Sequence, residues 1–159
     1  MAGASPSHQR IGGNLFREIA NHLEGKTCEV FYELRVRVEP ADYNYPDLSV
    51  ACPAEFDGEI LTNPSVLVEI LSDSTENFDR GRKWEQYRQL PSPREYLLVS
   101  QYKPHIVQYV RQANGEWLLR DLNCLAATLR IASLEPTVPL TKIYDRVEFP
   151  PRPLPEPQS

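Results

Sequence analysis

A glutamate inside an otherwise apolar strand is the feature that most narrows what this chain can fold into. The segment Val66-Leu67-Val68-Glu69-Ile70-Leu71 follows Pro64 and is apolar on both faces except at Glu69. A strand of that kind belongs at the centre of a sheet covered on both sides. A carboxylate there is costly unless it is paired, hydrogen-bonded or bound to a cation. The chain therefore needs a layered fold with something at its centre to compensate Glu69.

The flanking pattern supplies the layers. Ile11, Leu15, Ile19 and Leu23 recur four apart, which predicts an amphipathic helix over 8–23 ending near Gly25. Residues 28–39 alternate, with Val30, Tyr32, Leu34, Val36 and Val38 on one face, and read as one long half-exposed strand closed by Pro40. Leu48 to Cys52 forms a short buried strand, and 53–63 is a loop containing Asp57-Gly58. A helix is expected over 79–90, stopped by Pro91-Ser92-Pro93, with 72–77 rich in capping residues before it. Further strands follow at 95–100, 105–111 and 116–121, the last two joined at Asn114-Gly115, a hairpin signal. Residues 129–134 add a strand or a connector, and 143–149 a short closing segment. Helix, strands, helix and more strands predict a mixed sheet with helices on either side, an α/β or α+β domain. Its expected limits are 8–149, between a disordered tail over 1–7 and a proline-rich tail over 150–159.

Asp47 is the second unusual acid, placed after Pro46 at the very start of an apolar strand. Two acids on adjacent strands can converge on one divalent ion. Magnesium takes oxygen ligands and keeps several waters, so Asp47, Glu69 and a backbone carbonyl, that of Ile70, suffice as protein ligands. The plainer readings are a turn or cap residue for Asp47 and a buried salt-bridge partner for Glu69. Lys83 lies on the helix after the Glu69 strand. Its ammonium can hold an attacking water or stabilise charge on a phosphoryl oxygen, or it can be a solvated helix lysine. Arg80, Arg82 and Arg88 form a basic patch suited to phosphate contacts, though such runs are usually solvated faces. Asp79 reads first as a helix cap and second as a group orienting Lys83. Alternation turns Glu33 toward solvent, with a supporting place at the site as its other reading. Ser72 and Thr75 order the turn after the Glu69 strand. His8, His22 and His105 have no metal-cluster spacing and stay outside the site.

Asp47 with Glu69-Ile70-Leu71 resembles the PD-(D/E)XK nuclease signature. The longer ordered string is more specific: Tyr45-Pro46-Asp47-Leu48-Ser49-Val50, then 64–75, then Asp79 to Lys83 with Tyr87, then Arg94-Glu95-Tyr96-Leu97-Leu98-Val99. It is similar to the Uma-type restriction-endonuclease family of bacteria, as is the opening His8-Gln9-Arg10-Ile11 with Asn14-Leu15. The resemblance spans 8–149. It implies a restriction-endonuclease-like mixed sheet flanked by helices, and hydrolysis of DNA phosphodiesters assisted by Mg²⁺ or Mn²⁺. It implies Asp47 and Glu69 as metal ligands. The superfamily places lysine two residues after the second acid, where this chain has Leu71. The resemblance implies that Lys83 supplies the amine from the neighbouring helix, a relocation seen within the resembling family.

Composition bounds the rest. Seventeen basic against 22 acidic side chains give a net charge of −5, which argues against a protein coated with nucleic acid but not against a local basic groove. No run approaches the roughly 18 apolar residues of a membrane span. The start lacks a signal-peptide pattern, so a cytoplasmic location is expected. Cys28, Cys52 and Cys124 are odd in number and widely spaced, which predicts three reduced thiols. A homodimer is expected, since cutting both strands of a duplex needs two sites. Two rival functions stand beside the nuclease: an inactive nuclease-fold module binding DNA or a protein partner, and a scaffold with no nucleic-acid role.

Overall fold

The computed structural model describes residues 4–72 and 79–149, without the side chains of Asp79 and Arg80. Helix α1 (Pro6–Leu23) leads into strands β1 (Glu29–Tyr32), β2 (Val36–Glu39), β3 (Asp42–Asn44), β4 (Leu48–Ala51), β5 (Phe56–Asp57), β6 (Ile60–Leu61) and β7 (Val66–Leu71). A π-helical turn (Asp79–Lys83) runs directly into helix α2 (Trp84–Gln89). Strands β8 (Glu95–Ser100), β9 (Ile106–Arg111), β10 (Trp117–Leu122), β11 (Thr128–Arg130) and β12 (Thr137–Pro139) follow, then helix α3 (Leu140–Ile143). The main sheet has six strands in the order β1-β4-β7-β8-β9-β10. Only β7 and β8 run parallel; the other neighbours are antiparallel. The predicted mixed sheet flanked by helices is therefore the fold.

The central strand divides two cores by simple alternation. Val66, Val68 and Ile70 pack with Ile11, Leu15 and Ile19 of α1 and with Leu140 and Ile143 of α3. Leu67 and Leu71 face the other way, toward Tyr87 of α2, Tyr96, and Val36 and Val38 of β2. Glu69 shares this second face and is 3% exposed. Helix α1 approaches the sheet at Gly12. A Cβ there would stand 3.4 Å from Ile70 Cδ1.

Several sequence expectations are corrected. The strand over 28–39 is two strands belonging to different sheets. Glu33 adopts φ 49°, and its N–H bonds to the Asp47 carbonyl, so the chain kinks and β2 joins a second sheet ordered β3-β2-β6-β5. Periodicity alone does not register such a break, because the alternation resumes in phase. The loop at Asp57-Gly58 is the tight β5–β6 hairpin, with Gly58 at φ 61°. Helix α1 starts at Pro6, with Ser5 accepting the His8 N–H as its cap, so the stretch taken as tail supplies the cap and first turn. β12 and α3 occupy a stretch, 137–143, to which the sequence assigns no element before the closing segment at 143–149. Cys28 and Cys52 form a disulfide across β1 and β4, one step beyond the Glu29–Ala51 pair; Cys124 alone is a free, exposed thiol. Odd count and wide spacing hide a pairing that strand register creates. Residues 73–78, with the expected turn role of Thr75, and the proline tail over 150–159 lie outside the described residues.

Candidate active site

Strand register sets the two acids level with each other. Leu48 of β4 is opposite Val68 of β7, and one more antiparallel step sets Asp47 opposite Glu69. Asp47 stands just before its strand, at the sheet's end, with its side chain 16% exposed. Its Oδ2 accepts the Ile70 main-chain N–H at 2.7 Å. Its Oδ1 lies 3.1 Å from His8 Nε2, one turn ahead of Gly12 on α1. The hydrogen bond from His8 to Asp47 raises the imidazole pKa above its ordinary value, against the opposing effect of burial; the charges of Asp47 and Glu33 add to the rise.

Glu69 is compensated from the other side of the sheet. Lys83 Nζ lies 3.1 Å from Glu69 Oε1, and the Tyr87 hydroxyl donates to the same oxygen at 3.2 Å. Lys83 and Tyr87 are four apart at the junction of the π-helical turn and α2, so they share one face. A π-helical turn inside a helix is frequently found at functional sites. Helix α2 is held in place by Trp84, stacked on Tyr96 and Tyr109, and by Gln86, which donates to Asp42 and accepts from Asn44 of β3. The lysine expected from the helix thus reaches the acid on the strand, while Leu71 is packed in the core.

The N-terminus of α1 is tied to the same end of the sheet. Ser5 Oγ donates to Gln101 Oε1 at 2.6 Å, and Gln101 Nε2 donates to the Leu71 carbonyl at 2.9 Å. This chain of bonds fixes the first turn of α1, and with it His8, beside the end of β7. Sequence reasoning set His8 aside because a lone histidine has no spacing partner. The signal that finds it is its place one helical turn before Gly12, on the face carrying Ile11 and Leu15.

The remaining candidates fall nearby or at the rim. Glu33 is exposed, at the kink whose N–H meets the Asp47 carbonyl. Arg82 is exposed and 3.9 Å from Asp42; Arg88 is exposed, and its carbonyl accepts from Arg111. The side chains of Asp79 and Arg80 lie outside the described residues. A surface cleft of about 540 Å³ is lined by Leu34, Arg35, Tyr45, Phe56, Gly58 and Glu59. Neither Asp47 nor Glu69 lines it.

Among the described residues no group of three or more His, Cys, Asp or Glu side chains converges as a metal cluster. An ion here would have at most two side-chain ligands and would need main-chain oxygen and water. That donor set of carboxylates and a carbonyl, all oxygen, suits Mg²⁺ or Mn²⁺ and not zinc. Two buried polar atoms beside the acids lack a hydrogen-bond partner: His8 Nδ1, and Ser49 Oγ two residues along from Asp47. The residues present fit a hard divalent ion.

A mixed six-stranded sheet with one acid at the start of a central strand and another inside its neighbour, helices on both faces and an amine on the crossover helix is a restriction-endonuclease-like arrangement. The chain belongs to the Uma2 family, described as "Putative restriction endonuclease", whose profile matches residues 1–142. It is 35% identical over 154 residues to an uncharacterized Synechocystis protein, slr1290, covering 94% of this chain and 80% of that one. A second Synechocystis protein, sll1609, is 34% identical over 128 residues, covering 77% of this chain and 72% of its own. The fold matches the crystal structure of a "putative nuclease belonging to DUF820" from Anabaena variabilis, with a TM-score of 0.74 at 14% identity over 92% of this chain and 85% of that one. No helix among the described residues is long and apolar enough to cross a membrane.

Proposed function

We propose that this chain is a DNA endonuclease dependent on Mg²⁺ or Mn²⁺. Asp47, Glu69 and the Ile70 carbonyl hold the ion, and Lys83 acts as the catalytic amine. The observation that carries this reading is the 3.1 Å approach of Lys83 Nζ to Glu69 Oε1, which returns to the acid the amine that Leu71 lacks. A bound divalent ion supplies a Lewis acid for the scissile phosphate and a water of lowered pKa. The chain's own groups do the rest. His8 and the Ile70 N–H each occupy one oxygen of Asp47 and set the plane of its carboxylate, as groups behind metal ligands commonly do. Tyr87 holds Glu69 from the core side. Lys83 neutralises Glu69 in the free protein and, with substrate bound, orients the attacking water or faces the charge developing on the phosphoryl oxygens. Arg80, Arg82 and Arg88 contact the DNA backbone, Glu33 has a supporting place at the site, and Asp79 caps the helix or orients Lys83.

Nicking of supercoiled plasmid with Mg²⁺, with Mn²⁺ and with chelator tests the reading. Metal-dependent cleavage by the wild type, lost in Glu69→Gln and in Lys83→Ala, is expected. Metal-independent cleavage, or full activity in Glu69→Gln, overturns it. A second reading is favoured by the closed Lys83–Tyr87–Glu69 cluster, which also satisfies a buried carboxylate without any ion: a nuclease-fold module that binds DNA or a protein and does not cut. It predicts no turnover with any metal and unchanged DNA affinity in Lys83→Ala.

A further inference from the structure

The main sheet ends on one side in β10, an unusually plain edge. Its six residues pair with β9 in unbroken register, from Trp117 opposite Arg111 to Leu122 opposite Ile106. There is no bulge and no proline, two of the devices that stop an edge from pairing with another chain; its charges are Arg120 and Asp121. Leu118 and Leu119 are 45% and 52% exposed, and Leu125 just beyond the strand is 42% exposed.

The backbone shows which groups face outward. The Gln112 N–H bonds to the Glu116 carbonyl, and the Arg111 N–H bonds to the Arg94 carbonyl on the far side of β9. Antiparallel ladders alternate. Glu116, Leu118 and Arg120 therefore direct their main-chain groups toward β9. Trp117, Leu119 and Asp121 direct theirs away from the sheet.

We propose that β10 pairs antiparallel with β10 of a second copy of this chain, about a two-fold axis at Leu118, making one continuous sheet. Charge selects both the occupant and the register. With the axis at Leu118, Leu118 meets its own copy, Trp117 meets Leu119 in two rungs, and Glu116 meets Arg120 in two rungs. The outward main-chain groups of Trp117 and Leu119 then face each other as hydrogen-bonded pairs. An axis at Arg120 or at Asp121 sets like charges directly opposite, which is unfavourable. An axis at Leu119 leaves Arg120 against leucine and Trp117 against Asp121. Glu116 and Arg120 are exposed, and Arg120 makes no ion pair among the described residues. The edge is self-complementary in only one of these registers, and that is the signature of an isologous contact. A contact built on one strand edge falls toward the low end of specific interfaces, near or below about 1,200 Å², so the dimer dissociates on dilution.

Sedimentation velocity of the full chain over a micromolar dilution series tests this without reference to nuclease activity. A monomer–dimer equilibrium is expected. Arg120→Glu sets a carboxylate against Glu116 twice and raises the dissociation constant by about tenfold or more. Glu116→Arg does the same with two guanidinium groups. The double variant Glu116→Arg with Arg120→Glu restores the dimer, because each rung regains opposite charges. All four positions of this cycle are read alongside circular dichroism, which stays unchanged since both side chains are exposed. A wild type that is monomeric at every concentration overturns the proposal. So does a dimer that ignores Arg120→Glu, a double variant that fails to recover, or a species that grows open-endedly with concentration.

Discussion

Lys83 and Glu69 meet at 3.1 Å although one comes from a helix junction and the other from the middle of a buried strand. Both are well shielded, with side chains 15% and 4% exposed. Removing one partner leaves a buried charge uncompensated. Lys83→Met should destabilise the fold by about 3 kcal/mol. Adding Glu69→Gln to it should recover most of that loss, because the unpaired charge is gone. Urea unfolding of the two single variants and the double variant checks both statements.

His8 positions Asp47 from the opposite face of the sheet. His8→Ala should weaken Mg²⁺ or Mn²⁺ binding by about tenfold, in the range measured for groups that orient metal ligands. Titration calorimetry on the DNA-free protein reads this directly. His8→Gln keeps an N–H donor and should recover part of the affinity, a recovery that a purely structural role for His8 does not predict.

Gly12 sets how closely α1 approaches Ile70. At 3.4 Å an added methyl group makes ordinary contact, so Gly12→Ala should raise stability by about 0.8 kcal/mol through helix propensity. Gly12→Leu has no such room. It should lift α1 from the sheet, lower the melting temperature and weaken metal binding along with it, because His8 moves too.

The Cys28–Cys52 bridge closes a 24-residue separation. In the chain-entropy account, losing a bridge of that span costs about 3.5 kcal/mol. Cys28→Ser with Cys52→Ser should show that loss in thermal or denaturant unfolding. Thiol labelling of the unreduced, unfolded protein should modify Cys124 alone.

Tyr144 ties α3 to the β8–β9 connection. Its hydroxyl has the Ser100 carbonyl at 2.8 Å and the His105 carbonyl at 3.0 Å as acceptors, and it receives the His105 N–H at 3.2 Å. Burial pushes the phenol well above its usual range. The folded state therefore holds this proton more tightly than the unfolded chain does. Its contribution is complete below the unfolded value of about 10 and declines as pH rises from there toward the folded one. Wild-type stability should fall above that pH more steeply than that of Tyr144→Phe, measured by denaturant unfolding along a pH series.

The central architecture was legible because burial writes itself into sequence directly. Val66 to Leu71, Glu95 to Ser100 and the repeats of α1 are each forced by a face that must be covered. Glu69 and Asp47 stood out for the same reason, as charges where apolar residues belong. That they stand level follows from strand register, which one further step from Leu48–Val68 supplies. The kink at Glu33, the β5–β6 hairpin and the Cys28–Cys52 pair were not legible. Each depends on which strands become neighbours, and alternation within a strand says nothing of that. His8 was missed because its meaning lies in a contact across layers.

Leu71 is buried in the core two residues beyond Glu69, on the same face, while Lys83 approaches that face from the helix. Two positions twelve residues apart, one apolar and one an amine, thus lie on the Glu69 face. A motif written as a fixed spacing registers only the leucine. Measured in space, an amine still reaches the carboxylate, from the neighbouring helix.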